Sequence, residues 1–541
     1  MILPTADRRA RFLARLFLWL APLAYGALTL RYGMDANWDL RNYHWYNAYA
    51  FLTGRIGFDL LPAQMPTFYN PLLDVPFFLA ASAWPAPVVG FLLGTVQGIN
   101  LSLAFAAALA ALRPLPDMGR VGLAAIVGVM AGLGGGALGL IGTTFYDNVL
   151  SLGVLGALVI VLADIPGLTR GPARPAAWRA AAAGMLAGAA MGLKMPMAIY
   201  ATGLCLAFPV LPGSPWRRLW LAVVFGIGAL AGVAAVSGFW MAHLWQDYGN
   251  PLFPHMNHLF LSPFAAPDAY RNVSFFPDGL RERLLFPFIF TAEPLAAGEV
   301  PWFDLRVVIL FVLVPLAVLA GGIARLAGRR ARPVGDPAAA RFLLVAVAAA
   351  YALWVWMFCI YRYLVPLEMV APLAIVLAAG WLPLRRGARL GLAVLLLATA
   401  QATAVPADWG RVPWSRTWVQ AEVPPVEAPH ETMVLMAGYW ATSHVIPEFP
   451  PQIPFVRIQS NFLQPDSVGN AYLGIVQRRV AAHEGRFLML STIPDTPGAA
   501  RAAALMGLRL DPDACRVIPN NLGEPLNLCR VERVSGSGGA G

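Results

Sequence analysis

Residues 12–31 read FLARLFLWLAPLAYGALTLR, and residues 35–55 read DANWDLRNYHWYNAYAFLTGR. The first stretch is long and apolar enough for a helix that crosses a hydrocarbon core of about 30 Å. The second crowds Asp35, Asp39, His44 and a run of Tyr and Trp residues at the lip of that helix. Ionisable side chains so close to a membrane are expensive, and a dense group of them marks a candidate site. Arg8, Arg9, Arg11 and Arg15 precede the first run as they would in a secretory signal, but no small-residue cleavage pattern follows. The run therefore reads as a retained span.

Working outward, the whole chain carries the same signal. Of its 541 residues 58% are hydrophobic and 13% charged, with a mean hydropathy of +0.61, too apolar for a soluble protein. Eleven spans are expected, near 12–31, 88–112, 121–141, 149–163, 178–193, 195–211, 219–240, 306–327, 341–360, 364–383 and 390–406. The fourth to sixth are short or interrupted by Gly and Pro, as in helices that line a cavity. The fold class is mainly α, a polytopic helical membrane protein.

The net charge of +10 comes from arginines clustered between apolar runs. Such clusters orient a membrane protein, so the charge predicts no nucleic-acid partner. They place the N-terminus in the cytoplasm and, with an odd number of spans, the C-terminus outside. The outer side then receives loops 32–87 and 241–305 and the tail from 407. Within the first loop Asn70–Trp84, NPLLDVPFFLAASAW, is apolar but short, and reads as a juxtamembrane helix.

Residues 1–406 thus form a transmembrane domain and 407–541 a small α/β domain. The latter begins at the Pro-rich VPPVEAPHE, carries β-like runs TMVLMA, PFVRI, RFLMLS and LNLCRVERV with helical runs between them, and closes on a flexible SGSGGAG. Cys515 and Cys529 in this tail suit a disulfide if the tail is extracytoplasmic. No repeat and no inverted hydropathy symmetry is visible, which lowers the standing of a transporter.

Several residues carry two readings. Asp39 is a helix N-cap or a general base on an acceptor hydroxyl or amine. Tyr43, Trp45, Tyr46 and Tyr49 read as an interfacial aromatic belt. Asp147, in TTFYDNVL, is a cap or a second outer-face acid that shares a metal or an orienting role with Asp39. Lys194 is the chain's lone lysine and sits where the arginine pattern has no positive charge. It snorkels to the interface or holds an anion such as a lipid phosphate. Arg362, in CIYRYLVP, binds phosphate oxygens or pairs with Glu368. His243, His255 and His258 near WQDYGNPLFPHMNHLF have no standard zinc spacing, and the loop better suits a cover over a lipid-linked substrate. Asp247, Arg271 and Glu293 read as solvated residues.

Together these pieces resemble the C-type (GT-C) membrane glycosyltransferases that use polyprenyl-phosphate sugars, related to protein mannosyltransferases and lipid A aminoarabinose transferases. The resemblance spans about residues 12–406. DLRNYH places Asp39, better than Asp35, at the catalytic-base position in that superfamily's first outer loop, YNPLLDVPFF resembles its juxtamembrane helix, and Asp147 its second acid. Lys194 in GLK, YGNPLFPHMN and Arg362 in YRYLVPL complete the match. No compact Asp-x-Asp is present, and Asp35 and Asp39 stand four apart.

The resemblance implies an inverting transfer on the periplasmic face of a bacterial inner membrane. The donor phosphate would lie on Lys194 and Arg362, with Asp39 as base and Asp147 positioning acceptor or base. A divalent cation (Mg, Mn or Zn) on Asp39 and Asp147 is left open. Asp35, Tyr43, His44, Asn250, His255, His258 and Arg271 are substrate-loop candidates. The partners implied are the lipid-linked sugar, membrane lipids and a glycan, lipid or protein acceptor. A lipid-linked glycan polymerase or ligase, leaning on Arg271 and His255, is the alternative enzyme, and a lipid-linked sugar transporter the alternative outside catalysis.

Overall fold

A computed structural model of the protein describes residue 3 and residues 7–328, 333–466 and 470–534. Arg329, Arg330 and Arg332, between the spans expected near 306–327 and 341–360, and the SGSGGAG end lie outside the described residues. The chain divides into two compact units. The first is Met1–Tyr32, Gly90–Gly238 and Asn272–Trp409, and the second is Gly33–Val89, Phe239–Arg271 and Gly410–Gly541.

The first unit is helical. Among the described residues, six helices are long and apolar enough to cross a membrane: Arg8–Thr29, Ala86–Ala111, Pro215–Tyr248, Arg306–Leu326, Pro337–Met357 and Tyr361–Ala379. The other runs expected as spans also fold as helices, Asp117–Gly132, Asp147–Ala163, Ala173–Leu193, Ala198–Ala207 and Arg386–Thr403, which are shorter or more polar. The eleven expected spans thus resolve into six full-length apolar helices and five lesser ones. Small residues let several of them pack closely. Added methyl groups at Gly184 and Gly188 would run into the backbone at Phe225 and Ala229, and at Gly228 and Gly232 into the backbone at Ala181 and Met185. This reciprocal contact between Ala173–Leu193 and Pro215–Tyr248 is the small-residue packing that apolar surroundings require.

Three details differ from expectation. The run 121–141 is broken, because the helix stops at Gly132 and a short one restarts at Gly135–Gly139. The restart is capped by acids from elsewhere: Asp304 Oδ2 accepts from Gly135 N at 2.9 Å, and Glu368 accepts from Gly136 N at 3.0 Å and Ala137 N at 2.8 Å. The seventh run extends to Tyr248. The stretch 241–305, read as a loop, contains the helix Gly279–Ala292.

The second unit holds a two-stranded ribbon, β1 (Met34–Asp35) with β2 (Arg411–Val412), and a five-stranded sheet. That sheet comprises β3 (Thr432–Met436), β4 (Phe455–Arg457), β5 (Arg486–Thr492), β6 (Leu508–Ile518) and β7 (Leu526–Arg533), in the order β4-β3-β5-β7-β6. β3 is parallel to β4 and β5, whereas β7 is antiparallel to β5 and β6. Alternation along β3 feeds two cores. Met433 and Leu435 pack with Val476 and Ala502 of the helices Ala471–Ala481 and Thr496–Ala504, while Val434 and Met436 pack with Tyr46 and Ala50 of Trp45–Thr53. The short helix Val75–Ala83 occupies the segment read as juxtamembrane.

Candidate functional site

Three interruptions in the helices of the first unit deliver three of the expected residues to one place. Tyr146 turns through a left-handed backbone (φ +61) and Asp147 opens the helix Asp147–Ala163. Lys194 ends the helix Ala173–Leu193 in extended conformation, and Arg362 lies in a 3-10 turn, Tyr361–Leu364. Lys194 Nζ donates to Asp147 Oδ1 at 2.8 Å and to the Phe145 carbonyl at 3.0 Å. Arg362 Nε lies 3.9 Å from Asp147 Oδ2, with its guanidinium 3.9 Å from the Phe145 ring centroid.

A fourth residue, missed in the sequence, completes the cluster. Glu299 accepts from Arg362 Nη2 at 3.3 Å and from Trp409 Nε1 at 3.0 Å. The acid beside Arg362 is thus Glu299 and not Glu368, the partner weighed as the alternative to a phosphate. Asp147 is fully buried, whereas the Glu299 side chain is 30% exposed. The cluster is thus a sunken carboxylate under two cations, with a replaceable acid at its rim. A buried charge is tolerable only when so paired.

Glu368 belongs to a separate box. Besides the cap at Gly136 and Ala137, it accepts from Tyr361 Oη at 2.8 Å, and Arg306 Nη1 lies 2.7 Å from Asp304 Oδ2 and 3.9 Å from Glu368 Oε1. Two acids around one arginine are stabilised by the partial positive charge of a helix N-terminus. Tyr361 links this box to the neighbouring Arg362.

In the second unit, the opening polar stretch sorts its residues. Asp35 is fully buried and accepts from Asn37 Nδ2 at 2.8 Å and Asn37 N at 3.1 Å, while Asn37 Oδ1 accepts from Leu40 N at 2.8 Å. The cap is Asn37, and Asp39 makes no capping bond. Asp39 is half-buried and accepts from Tyr43 Oη at 3.1 Å. It precedes a π-helical turn, Leu40–His44, a geometry frequent at functional sites. His44 Nδ1 meets Asp74 Oδ1 at 2.6 Å, both side chains being buried. The belt aromatics Trp45 and Tyr46 are buried too, Trp45 against Phe78 and Tyr46 donating to Asp59 at 2.7 Å, so they are core and not an exposed belt.

The 250–258 loop is held by its own amides. Asn250 Nδ2 donates to the His255 carbonyl at 3.0 Å, and Asn257 Nδ2 to Ser262 and Ala265 carbonyls at 3.0 Å. His255 Nδ1 meets the Tyr270 carbonyl at 2.9 Å and burial pushes its pKa down. His243 pairs with Asp247 at 3.5 Å, and His258 and Arg271 are exposed. His243 and His255 keep separate partners, and among the described residues no three His, Cys, Asp or Glu side chains gather as metal ligands. At Asp147, a lysine bond and a nearby guanidinium already supply the positive charge that a divalent cation would bring, so the carboxylate does not fit that role. Cys515 and Cys529 are disulfide-bonded and face each other across β6 and β7.

No protein-family profile matches the sequence, and no curated protein matches it. Among solved structures, the chain is similar to the oligosaccharyltransferase of Archaeoglobus fulgidus in its apo form. The identity is 14%, the match covers 90% of this chain and 71% of that one, and the TM-score is 0.42.

Proposed function

We propose that the protein is a membrane glycosyltransferase that moves a sugar from a polyprenyl-phosphate donor to a cell-envelope acceptor, a glycolipid, polysaccharide or protein, with inversion. The observation that carries this reading is the meeting of Lys194 and Arg362 over Asp147. The cations come from two helix breaks that apolar packing alone would not select. In the proposed step the donor phosphate displaces Glu299 from Arg362 and takes bonds from both cations. The sugar–phosphate C–O bond breaks, its electron pair goes to the lipid phosphate, and Lys194 and Arg362 stabilise that charge. The acceptor oxygen bonds to the same carbon from the opposite face, and its proton passes to Asp39, the carboxylate that the DLRNYH resemblance assigns as base. Asp147 holds Lys194 in place. No step runs through a metal.

The setting that goes with this reading is a bacterial inner membrane, with the reaction on the periplasmic side. Purified protein supplied with radiolabelled polyprenyl-phosphate hexoses and pentoses tests it. Transfer by wild type, lost in Asp39→Asn with donor binding retained, supports the reading, and full transfer by Asp39→Asn overturns the base. Loss on substituting Arg271 and His255 alone favours a polymerase or ligase. Flipping of labelled lipid in proteoliposomes without transfer favours a transporter.

A further inference from the structure

The five-stranded sheet has a feature that the transfer reaction does not use. β3 lies between two parallel neighbours, and the chain leaves it for β4 on one side and later returns to β5 on the other. In open parallel sheets, the crevice beyond the carboxyl ends of strands at such a reversal is where ligands bind. Here that edge is formed by the segments that follow Met436, Arg457 and Thr492.

The segment after β3 is fixed from beneath by a costly device. Arg457 is fully buried, yet it donates only to neutral oxygens: Gly438 O at 3.0 Å, Thr442 Oγ1 at 3.0 Å and Pro62 O at 3.0 and 2.9 Å. Gln64 Nε2 adds a bond to the Tyr439 carbonyl at 2.9 Å. Burying a guanidinium without a hydrogen-bonded carboxylate is unfavourable, and the nearby charge of Asp495 offsets part of that cost. What it secures is a rigid loop that turns two consecutive aromatic rings outward, with Tyr439 52% and Trp440 54% exposed.

The rings stand among planar polar groups. Gln464 Nε2 donates to Tyr439 Oη at 2.9 Å. Asp495 packs against Gly438, which has φ +91 and no room for a Cβ beside that carboxylate. Among the described residues, Asp495 Oδ2 is buried against this turn and accepts no hydrogen bond, while the residue as a whole is half-buried. Exposed flat rings beside amides and a half-buried carboxylate suit a ligand with apolar C–H faces and a rim of hydroxyls.

We infer that this edge of the sheet is a saccharide-binding site, in which Tyr439 and Trp440 stack on sugar rings and Gln464 and Asp495 bond their hydroxyls. A bilayer surface also attracts exposed Tyr and Trp, but it favours Lys and Arg beside them, not a carboxylate and amides. The inference stands apart from the transfer reaction, and its test reads binding alone.

Full-length protein in detergent is applied to an array of bacterial surface oligosaccharides, and bound saccharides are titrated calorimetrically. Wild type is expected to bind a subset. Trp440→Ala and Tyr439→Ala should each weaken binding about tenfold with unchanged melting temperature, and Asp495→Asn should weaken it with both rings intact. Absence of binding by wild type, or equal binding by the Tyr439→Ala/Trp440→Ala double variant, overturns the site. In nanodiscs with brominated phospholipid, tryptophan quenching should be the same for wild type and Trp440→Phe. Quenching that disappears with Trp440 would place the ring in the bilayer and also overturn it.

Discussion

Lys194 Nζ sits 2.8 Å from Asp147 Oδ1, a carboxylate with no solvent exposure, and the lysine is itself only 18% exposed. The pair is therefore a buried ion pair, and its two halves are unequal in consequence. Removing the lysine leaves the buried carboxylate with only the Arg362 guanidinium at 3.9 Å, a loss that approaches the roughly 3–5 kcal/mol of a broken buried pair. Lys194→Met should lower the melting temperature sharply and abolish sugar transfer. The double variant Lys194→Met/Asp147→Asn should recover most of the melting temperature but none of the transfer. Recovered transfer would show that the lysine serves the fold alone.

Asp39 tests the base assignment. A general base contributes roughly 10²–10⁴-fold, so Asp39→Asn should reduce kcat by that range while KM for the donor stays close to wild type. Tyr43 donates to this carboxylate at 3.1 Å and holds its orientation. Tyr43→Phe should therefore cost much less than Asp39→Asn in kcat. A loss equal to that of Asp39→Asn would show that Tyr43 does more than orient the carboxylate.

The box around Glu368 predicts a stability ranking. Glu368→Gln weakens the cap on Gly136 and Ala137, a loss of about 1–3 kcal/mol. A methyl group at Gly134 would collide with both the Glu368 carboxylate and Arg306, and neither can retreat because both are fully buried. Gly134→Ala should thus melt at least as low as Glu368→Gln, whereas Gly122→Ala, with open space around it, should melt like wild type. Equal melting of Gly134→Ala and Gly122→Ala would remove the packing argument.

These residues also mark how far the sequence could be read. Apolar run length placed a helix at every expected span, and the short β-like runs TMVLMA, PFVRI, RFLMLS and LNLCRVERV located four strands of the sheet. β6 was invisible because LRLDPDACRVI carries Pro512 and two acids and its register shifts between Leu510 and Cys515. The break at Gly134 was hidden because its capping acids, Asp304 and Glu368, are remote in sequence. The same distance hid Glu299, and it left Glu368, six positions away, as the one acid the sequence could offer Arg362 beside a phosphate. Buried polar partners follow from tertiary packing, and no local period reports them. At Asp147, Lys194 and Arg362 the clue was instead a charge in the wrong place, which survives in one sequence.

The disulfide between Cys515 and Cys529 closes a loop with a sequence separation of 14. Cross-linking a loop of this size limits the unfolded chain by about 3 kcal/mol in the chain-entropy account. Reduction, or Cys515→Ser/Cys529→Ser, should lower the unfolding temperature of the tail sheet. The helical unit should be unaffected, as read by hydrogen exchange of Arg486–Thr492 against Val365–Ala379. Uniform loss in both segments would contradict a local role.

His444 sets a pH dependence. Its ring is buried, its Nδ1 meets the Arg41 carbonyl at 3.2 Å, and burial with the Arg41 charge pulls its pKa from 6.5 to about 4. A histidine kept neutral in the folded state gives stability that is fully present above pH 6.5. As pH falls, the unfolded chain takes up the proton first, so that stability drains away between pH 6.5 and about 4 and is gone below it. The group alone contributes roughly 3 kcal/mol over that window. His255, pushed down in the same direction by burial, adds to the slope. Melting temperatures of wild type should therefore fall on acidification from pH 7 to 4, and His444→Gln should flatten the curve without levelling it. If the two proteins lose stability in parallel, His444 is not the group that titrates.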